Sequence, residues 1–147
     1  MKSFSYELEL LSPVTLFFER KGCIVHREIQ IGFCRADIVA FTPNKKVISV
    51  ELKLSDWKKA LVQAKNYQLA SDFVYVAFPL SKSYTVLKKS RHLLEKYGIG
   101  FLVIHEDNQK VCMIFDAVQS KKKLGTISLA EIEKKKQVNR MKKPWMF

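Results

Sequence analysis

No apolar run in this 147-residue chain approaches the roughly 18 residues that a membrane-spanning helix needs. The N-terminus carries one positive charge but meets Glu7 and Glu9 too early for the apolar stretch of a signal peptide, so cytoplasmic residence is expected. Cysteine is scarce and badly spaced for pairing. Cys23, Cys34 and Cys112 are odd in number, far apart and without a CxxC pair. That pattern disfavours a disulfide frame or a thiolate zinc site and fits reduced, mostly buried thiols. His26, His92 and His105 form no HExxH-like spacing, so no histidine-built metal centre is expected. There is no internal repeat and no low-complexity linker.

Acid is also in short supply. Fourteen Asp and Glu stand against 26 Lys and Arg, a net charge of +12. Such an excess points to a polyanionic partner, nucleic acid above all and an anionic membrane surface much less. The excess is uneven. Residues 121–147 hold Lys121, Lys122, Lys123, Lys134, Lys135, Lys136, Arg140, Lys142 and Lys143 against Glu131 and Glu133, which is +7 and leaves +5 for the first 120 residues. One domain is the default at this length. We read residues 1–120 as that domain and 121–147 as a basic extension with a helix near 128–140.

What is present is clear patterning. Leu8, Leu11, Thr15 and Phe18 recur at helical spacing within residues 5–21, with Ser12-Pro13 as an alternative helix start and Gly22 suited to its end. From Cys23 to Ile31 apolar and polar residues alternate as in a half-exposed strand. Two apolar runs then flank a turn at Thr42-Pro43-Asn44-Lys45, which predicts a hairpin over Arg35–Lys53. Ser55-Asp56 offers a cap for a helix over 56–70 whose apolar side carries Trp57, Ala60, Leu61, Ala64 and Tyr67. The apolar run 72–78 follows as a strand, expected parallel and inside the sheet because a helix intervenes. A basic helix over 82–97 would bury Tyr84, Leu87, Leu93, Leu94 and Tyr97, and strands at 99–105 and 111–115 would form a second hairpin.

The first hairpin carries charges where a purely structural strand would be apolar. Period-two geometry puts Glu51 and Lys53 on one face of their strand, and Asp37 comes from its neighbour. Two carboxylates and an ammonium at one point suit a divalent metal. Asp37, Glu51 and the Leu52 carbonyl would supply hard oxygen ligands for Mg²⁺, and Lys53 would stand by to orient or deprotonate water or to steady phosphate charge. Gln63 and Tyr67, four apart, share a helix face. Arg35 reads equally as a phosphate contact or as a partner for Asp37. The basic residues Lys121, Lys122, Lys123, Lys134, Lys135, Lys136 and Arg140 are the candidate nucleic-acid contacts.

Asp37, followed fourteen residues on by Glu51-Leu52-Lys53, resembles the motif of the PD-(D/E)XK nuclease superfamily, also called restriction-endonuclease-like. The predicted order of elements over residues 7–79 is similar to that superfamily's αβββαβ core. The resemblance implies an α/β fold with a mixed central sheet flanked by helices, here followed by a C-terminal hairpin and the basic tail. Ala36 stands where the motif has Pro. Gln63-Ala64-Lys65-Asn66-Tyr67 is similar to a Gln-x-x-x-Tyr element of some members, which implies that Gln63 and Tyr67 face the site. A first-helix acid completes the metal site in many members; Glu7 and Glu9 compete for that place, with Glu9 preferred. The implied activity is Mg²⁺-dependent hydrolysis of DNA, with Mn²⁺ as a substitute, RNA as another substrate, and a homodimer if both strands are cut. The alternatives are a non-catalytic nucleic-acid-binding module on the same scaffold, or an interaction protein whose tail docks an acidic partner.

Overall fold

The computed structural model describes residues 3–31 and 34–124. The helix expected near 128–140, with Lys134, Lys135, Lys136 and Arg140, lies outside the described residues. The N-terminal helical signal is realised in two pieces. A 3-10 turn over Glu7–Leu10 runs straight into α1, Leu11–Glu19. Pro13 sits in the first turn of α1, where a missing N–H breaks no helical bond. Leu11, Val14, Thr15 and Phe18 are buried. Leu8, expected on the same stripe, is 67% exposed, because the tighter 3-10 turn rotates it away.

Three antiparallel strands follow, β1 (Ile24–Ile31), β2 (Cys34–Phe41) and β3 (Val47–Leu52). Helix α2 (Trp57–Tyr67) begins at Asp56, whose carboxylate accepts the Lys59 N–H at 3.1 Å. It ends three residues earlier than its sequence pattern suggests. The chain turns after Tyr67 to bury Ser71 and Asp72, and the Asp72 carboxylate accepts the Val47 N–H at 2.8 Å. Strand β4 (Phe73–Pro79), helix α3 (Leu80–Lys96) and strand β5 (Gly100–Ile104) come next, and β6 (Val111–Phe115) returns antiparallel to β5. The six strands lie in chain order, with β3, β4 and β5 mutually parallel. Helices make those two parallel crossovers, as parallel pairing requires.

This mixed sheet has helices on both faces. Ala60, Ala64 and Tyr67 of α2 and Val86 and Leu94 of α3 pack on Val39, Val76, Phe78 and Phe101. Leu10, Leu11, Val14 and Phe18 pack on Ile38, Val50, Leu52, Ala77 and Leu102. Tyr84, expected inside, is 77% exposed. The buried stripe of α3 is Val86, Ser90 and Leu94, and Tyr84 lies about 160° around the helix from Val86. The three cysteines are free thiols, but each is half-buried rather than fully buried. Among the described residues no helix is long and apolar enough to cross a membrane.

After β6 the chain is fastened back onto the body. The Val118 N–H donates to Gly98 O at 2.9 Å, Ser120 N–H to Asp72 O at 2.7 Å and Leu124 N–H to Leu69 O at 2.8 Å. Gly100 marks the closest approach in this region. A Cβ there would sit 2.4 Å from the Tyr75 ring and 2.8 Å from the Ala117 backbone nitrogen. The ring is buried and its hydroxyl donates to Asp116, so it has no easy escape. Gly100→Ala should therefore cost about 1–3 kcal/mol in urea unfolding, and an unchanged midpoint would refute this packing.

Candidate active site

The three antiparallel strands are irregular where their charges lie. Strands β1 and β2 keep one register from Ile24↔Phe41 to Ile31↔Cys34. Yet Val25 and Ile38 pack toward α1, whereas Ile29 and Ala36 pack toward α2. The change of face falls at Glu28, whose φ of +53° is unusual for a side-chain-bearing residue, and at the facing position Asp37. On the other side, the β2–β3 pairing runs from Phe41↔Val47 to Ile38↔Val50 and stops before Asp37 and Glu51. There the Asp37 carboxylate accepts the Leu52 N–H at 2.8 Å, a side chain standing in for the departing strand.

Glu51 is only 5% exposed. The Tyr67 hydroxyl lies 2.6 Å from Glu51 Oε1 and 2.9 Å from the Arg35 carbonyl, and its single proton serves one of them at a time. Lys53 Nζ is 3.5 Å from Glu51 Oε2 and 3.6 Å from Glu7 Oε1. Asp37, Glu51, Lys53 and Tyr67 thus meet between the 3-10 turn and α2. Burial, then the charge of Asp37, pushes the Glu51 carboxyl up to about 7, against the Tyr67 hydrogen bond and Lys53. Burial pulls Lys53 downward, but Glu51, Glu7 and Asp37 together outweigh it, so its ammonium is held above the ordinary lysine value. That disfavours Lys53 as a proton acceptor and favours it as a fixed positive charge. The Tyr67 hydroxyl is pushed up by burial and by its bond to Glu51, so it remains a donor.

Other sequence candidates fare differently. Glu9 is not beside this cluster's ammonium: its Oε1 accepts the N–H groups of Ser5 and Tyr6 at 2.9 and 2.8 Å, capping its own turn. Glu7 is the first-turn acid that reaches Lys53. Gln63 is half-buried and, four residues before Tyr67, shares its face of α2. The Arg35 guanidinium pairs with Glu28 at 3.3 Å rather than with Asp37. Both of those side chains are more than half exposed, so the pair adds little stability. What Arg35 brings to the site is its carbonyl, a contribution that no side-chain pattern can signal. Lys123 is taken up by Asp72 at 3.1 Å, while Lys121 and Lys122 are exposed.

Tyr67→Phe would remove the one hydroxyl donor that Glu51 and the Arg35 carbonyl share. It should lower stability by about 1–3 kcal/mol in chemical denaturation. A variant as stable as the parent would show that the hydroxyl supports neither group.

Among the described residues no group of three or more His, Cys, Asp and Glu side chains is arranged as a metal cage. Mg²⁺ does not require one, since it commonly uses one or two carboxylates and keeps several waters. The Asp37–Glu51 pair fits that demand: two hard oxygen donors, one of them buried at a cost that a cation would relieve.

No family model matches the chain, and no curated protein matches it. A solved protein of unknown function from Silicibacter pomeroyi is similar in fold, with a TM-score of 0.64 at 15% identity over 94% of this chain and 92% of that one. A repair endonuclease from Pyrococcus abyssi aligns with a TM-score of 0.44 at 15% identity, over 72% of this chain and 50% of that one. Pyrococcus furiosus SfsA in complex with Ca²⁺ aligns with a TM-score of 0.37 at 16% identity, over 71% and 58%. This chain spans between half and three-fifths of those last two proteins.

Proposed function

We propose that this chain is a metal-dependent nuclease of the PD-(D/E)XK type that hydrolyses phosphodiester bonds in DNA. The observation that carries the proposal is a buried Glu51, paired across the hairpin with Asp37 and flanked by the Lys53 ammonium 3.5 Å away. A purely structural sheet gains nothing from a carboxylate held up at about 7 beside a second one. Asp37, Glu51 and the Leu52 carbonyl would hold Mg²⁺, or Mn²⁺ in its place, with Glu7 beside the Lys53 ammonium at 3.6 Å. When bound, such an ion offsets the charge developing on the phosphate and makes water a better nucleophile.

The chain's own groups do the rest. Tyr67 fixes the orientation of the Glu51 carboxylate by its 2.6 Å hydrogen bond. Lys53, as an ammonium, faces the scissile phosphate and steadies its added negative charge. Gln63 contacts the phosphate or the attacking water from the α2 wall. DNA as the substrate is supported by the net charge of +12, with Arg35, Lys121, Lys122 and the lysines and arginine of the C-terminal extension as phosphate contacts. Cutting both strands of a duplex would call for two copies of the chain.

The test is incubation of the purified protein with linear, nicked, branched and single-stranded DNA, and with RNA, in Mg²⁺ or Mn²⁺ and in EDTA. Cleavage of DNA that EDTA stops is the expected result. Intact DNA in every metal-containing arm would refute the proposal.

A further inference from the structure

Three ammonium groups crowd a single aromatic ring beside the C-terminal end of α2. Lys65 Nζ lies 4.3 Å from the centroid of Tyr97, and Lys96 Nζ and Lys122 Nζ each lie 5.6 Å from it. They come from α2, from the last turn of α3 and from the segment after β6. Tyr97 is held in place through its backbone. Gln68 Nε2 donates to the Tyr97 carbonyl at 2.6 Å, and Ser120 Oγ donates to the Gln68 carbonyl at 2.9 Å. The ring forms one wall of a concavity of about 390 Å³ that Lys121, Gln119 and Glu95 also line. Glu95, the one carboxylate in that lining, already engages Arg91 at 2.9 Å.

One ammonium over a ring is favourable by about 0.5–1 kcal/mol at an exposed site. Three around one ring repel each other, and Lys121, which lines the concavity with Lys96 and Lys122, adds a fourth charge nearby. The four lysines are exposed, and none of them is in an ion pair with a carboxylate among the described residues. A hollow with an aromatic wall and a surplus of positive charge is suited to the phosphates of an unpaired nucleic-acid strand. The C-terminal end of α2 connects it to the candidate active site: Tyr67 reaches Glu51, and the next residue, Gln68, reaches the Tyr97 carbonyl.

We propose that this hollow, with Lys65 beside its Tyr97 wall, is a second nucleic-acid contact, in which Lys65, Lys96, Lys121 and Lys122 bind the phosphates of a single-stranded segment running from the Asp37–Glu51 site. The identity of the partner rests on the nuclease reading. The test is fluorescence anisotropy of a labelled oligothymidylate with the full chain in EDTA, titrated at several salt concentrations. The variant is Lys65→Glu with Lys96→Glu. The control is Lys88→Glu with Lys89→Glu, which makes the same charge change on exposed residues of α3 that neither line the concavity nor stand over Tyr97.

The first pair should weaken binding by about tenfold or more and flatten the logarithmic salt dependence by about 1.4, roughly 0.7 for each phosphate no longer neutralised. The control should change both far less. Wild-type affinity in the first pair, or an equal loss in the control, would overturn the proposal. A rise in melting temperature with Mn²⁺, measured on the same variants, reports the Asp37–Glu51 site separately. A protein that binds the oligonucleotide through this hollow but cuts no DNA would refute the nuclease reading and leave this second site standing.

Discussion

Glu51→Gln is expected to make the metal-free protein more stable at pH 8, although it removes a proposed catalytic group. In the unfolded chain this carboxyl titrates near 4.5, and in the fold it is pushed up to about 7. Between those values the folded state binds more protons than the unfolded state, so the group's contribution falls as pH rises through that window. The full shift corresponds to about 3 kcal/mol lost above pH 7. Glutamine carries no charge there and can still accept the Tyr67 hydrogen bond. Lys53 loses one partner but keeps Glu7 at 3.6 Å. A net gain of about 1–3 kcal/mol at pH 8 should remain, vanishing near pH 4. Urea unfolding of both proteins in EDTA across that range measures the difference directly. A variant no more stable than the parent at pH 8 would show that Glu51 is not held at a cost.

Two substitutions at Asp37 should separate its chemical role from its structural one. Asp37→Asn keeps an oxygen to accept the Leu52 N–H, whereas Asp37→Ala leaves that N–H without its partner. The alanine variant should lose about 1–3 kcal/mol of stability, and the asparagine variant much less. Cleavage should fall in both by more than about a hundredfold, beyond what losing a group behind the metal ligands costs. Asparagine is therefore the cleaner probe of function. Near-parental cleavage by Asp37→Asn would remove this residue from the reaction.

The centre of the site was readable because it follows short-range rules. Lys53 directly follows β3, two residues after Glu51, and its ammonium reaches the Glu51 carboxylate, while the Pro43-Asn44 turn brings Asp37 opposite Glu51. Asp56 announced the start of α2, and Ala60, Ala64 and Tyr67 announced its buried side. That Glu7 rather than Glu9 reaches Lys53 has a local reason. Glu9 stands three residues after Tyr6 and turns back onto its own N-terminus, as an acid at that place in a capping box does. Glu28 at positive φ, where the side chains of β1 and β2 change face beside Asp37, has no glycine or asparagine to signal it. Contacts made at long range were the least legible. Lys123 finds Asp72 51 residues back, and Lys122 joins Lys65 and Lys96 around Tyr97 because the chain after β6 folds back beside the ends of both helices.

The central claim is that Asp37 and Glu51 form a cation site. Calorimetric titration of Mn²⁺ into the full chain, beside Asp37→Asn and Glu51→Gln, tests it most directly. The wild type should bind with a saturable heat that both variants lack, and binding should tighten as pH rises through about 7, where the Glu51 carboxyl gives up its proton. Equal heats in all three proteins, or none in the wild type, would contradict the claim.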